Sequence, residues 1–122
     1  MPSEHVAGVL SFQLNGSAFR MKGTWTYNLG RVKREAVVGS DGVHGYKEVP
    51  QVPFFEGAVT DGRSLVMDDL LGFTEGTCTL HLRNGKVIEL RDAWFAGEGT
   101  VDTEESEIAV RFEGLGGEEV RP

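Results

Sequence analysis

Residues 10–21 read Leu-Ser-Phe-Gln-Leu-Asn-Gly-Ser-Ala-Phe-Arg-Met. An Asn-Gly pair between alternating apolar residues is a strong short-range signal for a two-residue hairpin turn, because both central positions need positive φ. With Asn15-Gly16 as that turn, Leu14 faces Ser17, Phe12 faces Phe19, Leu10 faces Met21 and Val6 faces Trp25. One side of the ribbon is then continuously apolar, while Ser11, Gln13, Arg20 and Lys22 occupy the other. A strand pair with one wet and one dry face predicts an antiparallel sheet covering a core.

Working outward, Asn84-Gly85 marks a second reversal, but a two-residue turn there sets Leu80 against Glu89 and mismatches the faces. A three-residue loop, Arg83 to Gly85, with Gly85 left-handed and a bulge after it, pairs Leu80 with Ile88 and Cys78 with Leu90. From Ser106 to Gly114, Ile108, Val110 and Phe112 point one way and Glu107, Arg111 and Glu113 the other, with Ala109 the one apolar residue outside. A further strand is expected from Val52 to about Thr60. One helix is expected over 64–73, capped by Ser64, with Leu65, Met67, Leu70 and Leu71 on its buried stripe and Gly72 at its end. Segment 29–51 reads as a long contact loop. Its Val37, Val38, Val43, Tyr46 and Val49 are too apolar for a solvated tail and point to a partner surface. Residues 115–122 read as a flexible C-terminal tail.

The chain has 122 residues, which suits a single domain over 1–122 that buries roughly two thirds of its unfolded surface. Twelve Lys and Arg against 19 Asp and Glu give a formal charge of -7, a field that repels phosphates and disfavours tight nucleic-acid binding. Cys78, the one cysteine, makes no internal disulfide and fits a reducing compartment. Neither an export signal nor a run approaching the ~20 apolar residues of a membrane span is present, so no membrane insertion and a soluble protein are expected.

Residues that invite chemistry have simpler roles. His5, His44 and His81 have no carboxylate or cysteine at ligand spacing, which predicts no metal site. Cys78 alternates with Leu80 and Leu82 on the apolar side of a strand and reads as a small hydrophobe. Asp68 and Asp69 are neighbours on a helix and point in different directions, so they do not form an acid–base pair. Gly39 to Gly42 lacks the spaced ligands of a calcium loop, and Gly114 to Gly117 lacks the lysine and helix of a phosphate loop. No enzyme and no cofactor are expected. One charge pattern stands apart: Glu98, Asp102, Glu104, Glu105 and Glu107 cluster with no basic residue among 98–107. They are either solvated turns or, in a ring of many copies, an acidic bore that DNA crosses without sticking.

Three ordered blocks carry a resemblance. Gly42 to Gly57 (GVHGYKEVPQVPFFEG), Asn84 to Gly97 (NGKVIELRDAWFAG) and Glu107 to Gly114 (EIAVRFEG) resemble the tail tube proteins of Mu-like contractile-tailed bacteriophages, in the same order and over nearly the whole chain. The resemblance implies a mainly β protomer, an antiparallel β-barrel or sandwich with one short α-helix and a long inter-subunit loop. It implies stacked hexameric rings forming the hollow tube of a contractile tail, a conduit for DNA ejection, assembled in the host cytoplasm and resident in the virion. Implied partners are the chain itself, the tail sheath protein, the baseplate or tail initiator and the tape measure protein, with DNA in passage. Gly42, Tyr46, Lys47, Glu48, Pro50 and Pro53 become the candidate inter-subunit contacts. Glu98, Asp102, Glu104 and Glu105 become the candidate acidic lumen or surface loop, and Trp94-Phe95 is assigned to packing. A type VI secretion-like tube protein and a monomeric β-barrel ligand-binding module are the alternatives; only the first shares the ring geometry.

Overall fold

The computed structural model describes residues 8–120. The elements in order are β1 (Val9–Leu14), β2 (Ser17–Phe19), β3 (Met21–Asn28), β4 (Lys33–Gly39), β5 (Gly42–Val49), β6 (Phe54–Thr60), α1 (Met67–Leu71), β7 (Gly76–Leu82), β8 (Val87–Phe95), β9 (Val101–Asp102), β10 (Glu107–Glu113) and β11 (Gly116–Val120). Nine strands hydrogen-bond in the order β2-β1-β7-β8-β10-β6-β3, with β11 beside β8 and β9 beside β10, while β4 and β5 form a separate pair. All pairings are antiparallel. The expected alternatives resolve to a sandwich: among the described residues no ladder closes a barrel, and β8 bridges two facing halves.

The first turn forms as the sequence dictates, with Asn15 at φ 49° and Gly16 at 87° and the register Phe12↔Phe19 and Leu14↔Ser17. The expected Leu10–Met21 pair does not form. After Phe19 the chain leaves the ribbon at Arg20, whose carbonyl accepts from Thr60 N (2.8 Å), and Met21 pairs with Val59 instead. Opposite this departure, the register of β1 against β7 shifts between Val9 and Ser11, and Leu10 turns outward to 58 % exposure. Val6, the expected partner of Trp25, lies outside the described residues. By switching halves the strand faces Phe12 across the core rather than beside it, a corner that sandwiches commonly use. Phe12 then packs 4.7 Å from Trp25 and 5.3 Å from Phe112 between ring centroids. Trp25 donates its Nε1–H to Ala58 O (3.1 Å), so the indole is buried with its polar atom satisfied. A β-carbon at residue 57 would run into that indole, which explains Gly57 inside β6.

The second corner lies within β8. Residues 87–90 pair with β7 on one side and 87–91 with β11 on the other, Ala93 returns to β7 opposite Gly76, residues 94 and 95 pair with β10, and Asp92 adopts φ 50° at the break. The bulged loop Arg83 to Gly85 forms with Leu80↔Ile88 and Cys78↔Leu90 and Gly85 at φ 93°. In β10, Ile108, Val110 and Phe112 are buried and Ala109 is exposed. Phe95 stands edge-on to Phe112 at 5.4 Å, whereas Trp94 is half-buried. Burying a side chain of this size stabilises by ~1.5–3 kcal/mol, so this aromatic stack anchors the sandwich.

Three expectations change. The helix is only Met67–Leu71: its N-cap is Val66 with extended backbone and no side-chain cap, so Ser64 lies too early to cap it. Leu70 is buried and Leu65 and Met67 pack on the core, but Leu71 is 39 % exposed; Gly72 ends the helix as expected. The tail is a strand through Val120, β11, held on β8 with Gly117 opposite Leu90. Segment 29–51 is not an irregular loop but carries the β4–β5 ribbon.

Candidate assembly surface

The ribbon's register pairs Lys33↔Val49, Arg34↔Glu48, Glu35↔Lys47, Ala36↔Tyr46, Val37↔Gly45, Val38↔Val43 and Gly39↔Gly42, with a shift between Val37 and Val38 that leaves His44 as the extra residue. Directly opposed residues share a face and successive ones alternate. One face therefore carries Arg34, Glu48, Ala36, Tyr46, Val38 and Val43; the other carries Lys33, Val49, Glu35, Lys47, Val37 and Gly45. Contacts agree with this division: the Arg34 guanidinium stands 5.6 Å from the Tyr46 ring centroid, while Lys33 and Lys47 flank Glu35 at 3.5 and 4.0 Å. The first face is the apolar one, and it is uncovered, with Val38 68 %, Val43 72 % and Tyr46 61 % exposed. Isolated two-stranded hairpins are marginal in water, and apolar faces on monomers are normally covered.

The tip is stapled. His44 Nε2 donates to Asp41 Oδ1 at 2.6 Å. That bond, with one from its own backbone, lowers the Asp41 carboxyl below the ordinary aspartate range. A β-carbon at residue 39 would strike the His44 ring, so Gly39 is required beneath it.

The base is fixed to the sandwich. Gly30 sits at φ 79°, and a β-carbon there would lie 2.6–2.9 Å from the Pro53 ring. Gly30 N donates to Asn28 Oδ1 (2.8 Å), Gln51 Nε2 to Arg31 O (2.8 Å), Arg31 Nη1 to Gly117 O (3.0 Å) and Gly114 N to Pro53 O (3.2 Å). Pro53, expected as an inter-subunit contact, is buried in this hinge within the protomer. Pro50 is exposed beside it. Gly42 forms the tip, Tyr46 belongs to the apolar face, Glu48 opposes Arg34 on that face's edge, and Lys47 lies on the charged face.

Glu98, Asp102, Glu104 and Glu105 are all exposed. Asp102 Oδ1 accepts from Glu104 N and Glu105 N (both 3.1 Å), folding the turn between β9 and β10. Lys22 reaches this turn, contacting the carbonyl and carboxylate of Glu105 and lying 3.9 Å from Glu107. A cation from a distant strand thus dilutes a run that is purely acidic in sequence. On the adjacent outer surface, Arg111 bonds Glu56 (2.6 Å) and Glu113 (2.9 Å) and covers Phe54 at 4.1 Å. Its guanidinium pKa is raised, chiefly by the Glu113 bond.

The remaining polar residues gather nowhere. Cys78 is buried in the core, and burial pushes its thiol far up, away from the reactive thiolate. His81 is half-buried on β7, Asp68 and Asp69 are exposed in the first turn of α1, and His5 lies outside the described residues. Among the described residues no three His, Cys, Asp or Glu side chains come together at metal-binding distance. Among them, too, no helix is long and apolar enough to cross a membrane.

Fold and surface together define a structural β-sandwich protein with a projecting, one-sided apolar ribbon. The phage tail tube protein family model matches residues 3–119, and the chain belongs to that family, whose members are structural proteins and not enzymes. No curated protein sequence matches the chain. Among solved structures, the tube-terminating cap of the anti-feeding prophage is similar at a TM-score of 0.63 and 7 % identity, covering 100 % of this chain and 97 % of that one. The sheath/tube terminator of the PVC extracellular contractile injection system, in its extended state, is similar at 0.62 and 8 %, covering 98 % and 99 %. At such identities the likeness is one of fold.

Proposed function

We propose that this chain is a repeating subunit of the inner tube of a contractile phage tail, assembling as stacked hexameric rings that conduct DNA. The observation that carries the reading is the ribbon: an apolar face exposed to water, on a hinge that fixes its direction. Gly42, Tyr46 and Glu48 are its contact residues toward a neighbouring copy, with Val38 and Val43 added to them; Lys47 and Pro50 flank the contact. Head-to-tail contacts of this kind repeat around a ring, so modest pairwise affinity sums to a stable assembly. The exposed Glu98, Asp102, Glu104 and Glu105 suit a bore from which DNA is repelled. The sheath outside, the initiator and baseplate at one end and the tape measure protein within are the partners such a tube requires, and assembly precedes lysis in the host cytoplasm.

The two solved structures favour a second reading, a subunit that terminates a tube, since both are named as caps or terminators. Negative-stain microscopy of concentrated protein with mass-resolved chromatography separates the readings. Long tubes support the repeating subunit and isolated rings the terminator. A species that stays monomeric at every concentration, with the tail initiator added as well as without it, overturns both and leaves a ligand-binding module.

A further inference from the structure

At the seam of the sandwich, β1 and β3 approach each other without a shared ladder. Above them opens a cleft of about 440 Å³. Its apolar lining comes from Val9, Trp25, Tyr27, Leu80 and Leu82, and none of the residues that line it is charged. Among the described residues no strand pairs with the outer edge of β3 or with Val9–Ser11 on the same side, so backbone donors and acceptors border the cleft.

We infer that this seam receives the apolar face of the β4–β5 ribbon from a second copy of the chain, with Tyr46, Val38 and Val43 seated over Trp25 and Leu82. The inference rests on the self-assembly reading above and names the two surfaces that meet. Three observations select the occupant. The ribbon's apolar face presents three large exposed side chains between Arg34 and Glu48 at its base and the Asp41–His44 bond at its tip, and this apolar middle suits an uncharged recess. Charge steers the approach: residues 29–51 hold Arg31, Lys33, Arg34 and Lys47 against Glu35, Asp41 and Glu48, a net of +1, while the rest of the chain holds 8 basic and 16 acidic residues. Finally, projection and recess occupy different places on one chain, which makes the contact heterologous. Such contacts propagate into rings or filaments, unlike the closed pair of a symmetric dimer.

The test joins the two surfaces covalently. Val43→Cys protein and Thr24→Cys protein, each substituted at an exposed position and each retaining the buried Cys78, are mixed at high concentration and mildly oxidised. Mass spectrometry then counts mixed disulfide dimers, and micrographs record assemblies. A Val37→Cys chain, altered on the charged face, replaces Val43→Cys in the control. Assemblies with about tenfold more mixed disulfide from Val43→Cys than from Val37→Cys support the seam, because only one face is then within bonding reach. Assemblies with no mixed disulfide, or with equal yields, overturn the seam while leaving self-assembly standing. Absence of both assemblies and disulfide, with the tail initiator added to nucleate growth, overturns the two together.

Discussion

Replacing Tyr46 with alanine separates the fold from the assembly in one experiment. A tyrosine buries about 150–250 Å² when fully enclosed. At 61 % exposure roughly 120 Å² of Tyr46 is open in the protomer. At about 25 cal/mol per Å², covering that area contributes ~3 kcal/mol, and the phenolic tip reduces this to about 2 kcal/mol per interface. Each added subunit forms one such interface, so the concentration at which polymer first appears rises about 30-fold, since 1.4 kcal/mol is tenfold. The isolated protomer scarcely notices, because an exposed substitution typically shifts stability by no more than ~0.5 kcal/mol. The Arg34 contact at 5.6 Å adds a comparable small amount. Sedimentation across a concentration series gives the assembly threshold, and urea denaturation of dilute protein gives protomer stability. Lys47→Ala, on the opposite face beside Glu35, is the control and leaves the threshold within about threefold. An unchanged threshold for Tyr46→Ala, or an equal rise for Lys47→Ala, refutes the one-faced contact.

Two further outcomes are expected. Gly30→Ala places a side chain at φ 79° against Pro53 and costs at least ~2 kcal/mol, seen as a lower urea midpoint together with lost assembly; a wild-type midpoint removes the hinge from the account. In a carboxyl NMR titration, Asp41 titrates below 3.8 in the native chain and rises toward that value in His44→Ala, where only the bond from its own backbone still lowers it. Because the folded value is the depressed one, the staple's contribution is complete above the unfolded value of 3.8 and is lost as pH falls through the folded value; identical titration in both proteins contradicts the staple.

The parts of the fold visible in the sequence are those fixed by neighbours along the chain. Asn15-Gly16 and Asn84-Gly85 set two turns, and alternation about them set which residues face the core, down to Cys78 opposite Leu90. What the alternation could not convey is where a strand changes partners. Arg20 shows no local mark of the departure, because the partners that the strand gains there, Thr60 bonded to the Arg20 carbonyl and Gly57 beneath the Trp25 indole, lie on a strand more than thirty residues away. The acidic, glycine-rich β11 has weak strand propensity and exists through its ladder on β8 and the close approach of Gly117 to Leu29 and Pro53. The ribbon's register was hidden by its bulge: a two-residue turn on Ser40-Asp41 alone sets Arg34 against Lys47, a like-charge pair, and only the extra residue His44 brings Arg34 opposite Glu48 and Glu35 opposite Lys47. The ribbon's glycines at 39, 42 and 45 also gave it the look of a loop.

Hinge and ribbon have opposite stability requirements, and their combination is what makes this surface suited to repeated assembly. A free hairpin gains too little from its own ladder to hold one conformation, so a ribbon on a loose tether would lose much of its contact energy to ordering on docking. Here Gly30 against Pro53, the Arg31 bond to Gly117 and the Gln51 bond to Arg31 set the ribbon's direction in advance, and the His44–Asp41 bond sets its tip. The entropy is therefore lost on folding, within a sandwich whose aromatic core supports it, and the apolar face remains available for a neighbour. The same ordering explains the division of charge. Lys33, Glu35 and Lys47 neutralise one another locally on the wet face, so the docking face need not desolvate them. A contact built this way depends chiefly on area, with charge on the docking face limited to the opposed pair Arg34 and Glu48 at its base.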